Sequence, residues 1–134
     1  MFYAVIDTNV LVSAMLAKKD TSATVIILDK VLSREIVPLF NEEIIQEYQE
    51  VLSRERFDFD PNQVRILIEK FRLLGEDTAR TPFPEPMIDE KDRVLYEVSL
   101  TEEESYLVTG NLKHFPVTPK VVTPAQMLEI VGKR

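Results

Sequence analysis

Four short runs of almost uniformly apolar residues, 3–6, 35–39, 105–108 and 120–122, set the strongest limit on what this chain can fold into. A strand with one face in water alternates polar and apolar side chains, whereas a strand covered on both faces reads as a continuous apolar run. Between these runs lie helical candidates at residues 10–16, 22–32, 42–52, 61–74, 90–100 and 124–131. Their ends carry capping signals. Ser22 and Asn41 are placed to cap, Asp60 precedes Pro61 at a first helical position, and Gly75 and Gly132 follow the last periodic residues. The alternation predicts an α/β fold, a three-layer α/β/α sandwich around a mainly parallel sheet of four to five strands.

A chain of 134 residues suffices for one domain, and residues 1–134 read as a single unit burying roughly two-thirds of the unfolded surface. The one Pro-dense stretch, residues 81–86, is too short for a linker and reads as a stiff loop. With no cysteine, disulfides and thiolate-bound zinc or iron–sulfur sites are excluded, and an intracellular setting is favoured. No apolar run approaches the roughly 20 residues of a membrane span, and no signal-peptide pattern opens the chain. The expectation is a soluble cytoplasmic protein without a membrane partner.

A net charge of −7 argues against a general nucleic-acid coat, which needs clustered Lys and Arg. The imbalance is local. Eight acidic residues between Glu85 and Glu104 face only Lys91 and Arg93, whereas residues 51–80 are balanced and include Arg54 and Arg56.

Polar residues interrupt this pattern at informative places. Asp7, Thr8 and Asn9 follow the first apolar run, at the carboxyl end of a strand, where open α/β sheets gather functional groups. On the helix at 42–52, Glu47 falls about 40° from Val51 and so borders the apolar stripe of Ile44, Ile45, Tyr48, Val51 and Leu52. A boundary glutamate reaching water along its own stem is the plainer account. Asp92 can complete a capping box begun by Asp89. It also shares helical spacing with Ile88 and Leu95, which turns it inward and leaves Asp89 to cap. Thr109, Gly110 and Asn111 follow another apolar run in a glycine-permitted turn. His114, the only histidine, has no nucleophilic serine or second imidazole near it in sequence and reads as a surface or capping residue. Were Asp7, Glu47 and Asp92 to converge, their repulsion would require a cation, and an all-oxygen set suits Mg²⁺ or Mn²⁺. Such ions lower the pKa of a water and stabilise a leaving oxygen at a phosphodiester.

Four segments in order, residues 5–14, 43–57, 89–92 and 107–116, resemble successive motifs of PIN-domain proteins, across nearly the whole chain. The likeness is greatest to the branch that includes toxin components of toxin–antitoxin systems, VapC-like proteins. That resemblance implies a metal-dependent endoribonuclease that leaves a 3′-hydroxyl and a 5′-phosphate, with Asp7, Glu47 and Asp92 as catalytic metal ligands. It also implies that Thr8, Asn9, Thr109 and Asn111 support the site; many family members carry aspartate at the position of Asn111. An RNA substrate, a cognate antitoxin and a possible homodimer follow from the same resemblance. From charge alone, Arg54, Arg56 and Lys113 are candidate phosphate contacts. Two other readings remain open: a PIN-fold interaction module without catalysis, and an aspartyl-nucleophile phosphatase. The phosphatase pattern calls for a second aspartate two residues after the nucleophile, where Asn9 stands.

Overall fold

The computed structural model describes residues 1–133 and shows the expected α/β architecture, with one strand beyond the four apolar runs. The strands are β1 (Phe2–Ile6), β2 (Ile36–Phe40), β3 (Glu76–Asp77), β4 (Ser105–Val108) and β5 (Val121–Val122). They form one sheet in the order β3-β2-β1-β4-β5, and every pairing is parallel. The helices are α1 (Thr8–Leu16), α2 (Ala23–Leu32), α3 (Glu42–Leu52), α4 (Pro61–Leu74), α5 (Arg93–Thr101) and α6 (Pro124–Gly132). None is long and apolar enough to cross a membrane.

Burial explains the apolar runs. All five residues of β2 are buried, as are Ala4, Val5 and Ile6 of β1 and Leu107 and Val108 of β4, so the sheet interior presents no polar face to water. The stripe on α3 buries Ile44, Ile45, Tyr48 and Leu52. Tyr48 meets Phe71 of α4 edge-on, with ring centroids 5.7 Å apart, a preferred aromatic geometry. Full burial of each such side chain is worth about 1.5–3 kcal/mol.

Several helix ends behave as the capping signals indicate. Asn41 accepts from the Ile44 amide and Asp60 from the Asn62 amide. Ser22 stands at the N-cap of α2 without a side-chain bond there. Gly132 falls inside α6 rather than beyond it. The segment at 90–100 divides into a 3₁₀ turn, Glu90–Asp92, followed by α5. Gly75 ends α4 in an extended conformation, and the reason for glycine is space: a Cβ there would lie 2.2 Å from the Pro38 carbonyl oxygen and 2.7 Å from that of Phe71. β3 can therefore begin at Glu76 beside Leu39 only because Gly75 passes so close to Pro38.

The strand order places the functional end of the sheet. From β1 the chain proceeds to β2 on one side and later to β4 on the other, so connections diverge at the carboxyl end of β1. A crevice forms where such order reverses. Asp7 is the first residue beyond β1.

Candidate active site

Asp7 occupies the N-cap of α1 but makes no side-chain capping bond. Its carboxylate is turned to other partners. Thr109, just beyond β4, donates its hydroxyl to Asp7 Oδ2 at 2.8 Å, and the Asn9 amide group donates to the same oxygen at 3.3 Å. Both partners are neutral, so neither compensates the charge. Asp7 is only 6% exposed, and burial pushes its pKa from 3.8 to about 6. The Thr109 bond opposes that shift, while the nearby charges of Asp92 and Glu47 add to it.

Glu47, half-buried on α3, receives the Thr8 hydroxyl. Tyr48, the next residue, is fully buried and donates its hydroxyl to the Ile6 carbonyl at 2.5 Å. This fixes α3 against the end of β1 and sets the height at which Glu47 enters the crevice. Burial, and then the charges of Asp7 and Glu47, hold the Tyr48 hydroxyl well above its usual pKa, so it remains a donor.

Asp92 ends the 3₁₀ turn before α5. Asp89 does the capping, accepting from the Lys91 amide at 3.0 Å, and Asp92 makes no cap bond. Instead, Asp92 Oδ2 lies 3.2 Å from His114 Nδ1. Burial raises the Asp92 carboxyl above its usual range, the His114 bond opposes this, and the charges of Asp89 and Glu47 contribute to the rise. Among the described residues, only Asp89, Asp92 and His114 bring three potential ligand atoms within 4.8 Å of one another. Asp7, Glu47 and Asp92 act on one another electrostatically but are more widely spread.

The remaining candidates divide. Asn9 also accepts from the Gly110 amide at 3.1 Å, and Thr109 Oγ1 accepts from the Asn111 amide at 2.9 Å. Thr8, Asn9 and Thr109 thus join β1, α3 and the turn after β4 around the two carboxylates. Asn111 is exposed, at the N-cap of a short 3₁₀ turn that its side chain does not cap. Arg54 and Arg56 lie past the end of α3, about 10 Å along its axis from Glu47 at 1.5 Å per residue. Arg54 is paired with Glu50 and Arg56 stacks over Phe57. Lys113 is exposed beside His114.

Sequence reasoning missed the His114–Asp92 contact and the buried Glu97. Glu97 accepts from Arg80 Nε at 2.8 Å and from the Phe83 amide at 2.9 Å. Arg93 donates to the carbonyls of Phe83 and Glu85. These bonds pin the proline-rich segment 79–88 to the first turns of α5, beside Asp92. A hollow of about 510 Å³ lies elsewhere, at the amino ends of β1 and β4. Its size does not track the chemistry.

Hard oxygen donors with one imidazole, and a buried Asp7 carboxyl held only by hydroxyl and amide groups and raised to about 6, form a donor set suited to a divalent cation. A comparison with curated proteins returns no significant match. The family description "PIN domain", a nuclease fold whose members generally use divalent metals, matches residues 3–113. Since that match takes in Asp7, Glu47, Asp92 and Thr109 together with all but the last strand and helix, the chain belongs to the PIN-domain family.

Proposed function

We propose that this PIN domain is a Mg²⁺- or Mn²⁺-dependent endoribonuclease. The observation that carries the reading is Asp7: buried at the carboxyl end of the central strand, partnered only by neutral groups, and raised to about 6 partly by the charges of Asp92 and Glu47. Asp7, Glu47 and Asp92 would hold the ion, with Asp89 and His114 beside Asp92. When bound, the ion supplies Lewis acidity at the phosphodiester and a more acidic water.

The chain's own residues do the rest. Thr109 and Asn9 hold Asp7 by Oδ2, so its other oxygen, Oδ1, is the one left for the ion or for the proton of the attacking water. Thr8 fixes the Glu47 rotamer, and His114 fixes that of Asp92. The water oxygen bonds to phosphorus, the bond from phosphorus to the 3′ oxygen breaks, and that oxygen takes up a proton, leaving a 3′-hydroxyl and a 5′-phosphate. The likeness to VapC-like proteins supports a toxin of a toxin–antitoxin pair acting on cytoplasmic RNA and restrained by a cognate antitoxin.

Glu47→Gln tests the reading. The substitution keeps the shape and the Thr8 contact but removes a charged ligand, so cleavage of an RNA panel in Mn²⁺ should fall by about a hundredfold or more while the fold persists. Equal cleavage by both folded proteins would assign the activity to another source and favour the interaction module.

A further inference from the structure

The nuclease reading leaves open how an acidic chain grips RNA. Arg54, Arg65, Arg72, Arg80 and Arg93 are each engaged by a carboxylate of the chain itself, so little guanidinium charge is free for phosphates. Contacts to the bases can then supplement phosphate contacts from the lysines left unpaired among the described residues, as where single strands stack on apolar and aromatic platforms.

One hollow suits that task. Between segments 83–88 and 114–116 lies a cavity of about 250 Å³, walled mainly by the apolar side chains of Phe83, Met87, Ile88, Phe115 and Pro116, with Glu85, Pro86 and His114 completing the lining. His114 is shared with the carboxylate cluster through its 3.2 Å contact with Asp92, so the cavity adjoins the Asp92 side of the site. Its walls are set in advance. Phe83 is held edge-on to Tyr96 with centroids 4.9 Å apart, and its amide and carbonyl are taken by Glu97 and Arg93. Phe115 and Met87 are buried, whereas Ile88 is 77% exposed and forms an open lip. The volume is below the roughly 300–1,000 Å³ of a drug-sized site and far short of a groove for a helix, but it accommodates one planar ring. Lys113, adjacent in sequence and exposed, has no ion-pair partner among the described residues.

We propose that this cavity is a subsite for one unpaired nucleobase of the RNA, next to the phosphate addressed by Asp7, Glu47 and Asp92; the proposal rests on the nuclease reading for its substrate. The base inserts between Ile88 and the Phe115–Pro116 wall, and duplex RNA, whose bases are stacked away, is excluded.

Methyl NMR of the intact protein tests this without relying on cleavage. A single-stranded trinucleotide should shift the Ile88 and Met87 methyl signals through the ring current of the bound base, and the same ribose-phosphate chain lacking bases should not. Ile88→Ala, followed at Met87, should weaken trinucleotide binding by about tenfold. Equal shifts from the abasic chain, no binding of either probe, or Ile88 shifts that appear with rising protein concentration alone would overturn the subsite, the last by identifying a second copy as its occupant. Methyl shifts without any RNA cleavage would sink the nuclease reading and leave the subsite standing. Cleavage indifferent to both the bases and Ile88→Ala would do the reverse.

Discussion

Replacing Asp7 by asparagine should make the metal-free protein more stable. In the fold the carboxyl titrates at about 6, against 3.8 when exposed, so between these values the native state binds more protons than the unfolded chain. Stability therefore falls as pH rises through that window. The difference of about two pH units corresponds to about 3 kcal/mol above pH 7, shrinking to about 0.5 kcal/mol at pH 4, where the folded carboxyl is already protonated. Asparagine carries no charge, and its amide oxygen can still accept from Thr109. In urea titrations with EDTA, Asp7→Asn should thus gain about 2–3 kcal/mol at pH 7.5 and little at pH 4. Added Mn²⁺ should reverse the order, because the ion stabilises only the state that binds it. A gap of equal size at both pH values, or none at pH 7.5, would show that Asp7 is not an uncompensated buried charge and would remove the main support for a cation site.

Gly75→Ala should cost about 2–3 kcal/mol, since its Cβ would press on backbone oxygens of Pro38 and Phe71 that cannot rotate away; Gly132→Ala, with nothing within 4 Å, is the matched control in the same denaturant series, and equal midpoints for the two would refute the contact. Glu97→Ala should loosen segment 79–88 by removing the Glu97 bonds to Arg80 and the Phe83 amide and its ion pair with Arg93. Limited proteolysis should then cut that segment faster than in wild type, and an unchanged cutting pattern would show that the ion pairs do not anchor it.

β1, β2, β4 and β5 are legible in the sequence because burial on both faces removes polar periodicity. β3 is not. Glu76 and Asp77 are exposed and join the sheet only through backbone pairing with Leu39 and Phe40, which leaves no apolar signature. The place of Asp7 follows from its position just after the first apolar run, and that of Glu47 from helical spacing. The contacts of the site are a different matter. Thr8 meets Glu47 across 39 residues and His114 meets Asp92 across 22, separations that depend on how loops close and not on any local pattern. The acidic excess at 85–104 misleads in the same way, because Glu97 faces inward to Arg80 and Arg93. For Arg54 a signal did exist: Glu50 stands four residues earlier, the spacing of a helical ion pair.

Both rims of the sheet are formed by two-residue strands, β3 on one side and β5 on the other. So short a rim offers another chain few free amides and carbonyls to zip onto, the device by which native sheets resist edge-to-edge aggregation. At β5 the Val121 amide is already taken by the Thr118 carbonyl, and Val122 bonds inward to Thr109. A homodimer, or an antitoxin seated on this domain, would accordingly have to recognise helices and loops and not lengthen the sheet, which makes side-chain identity the basis of partner choice.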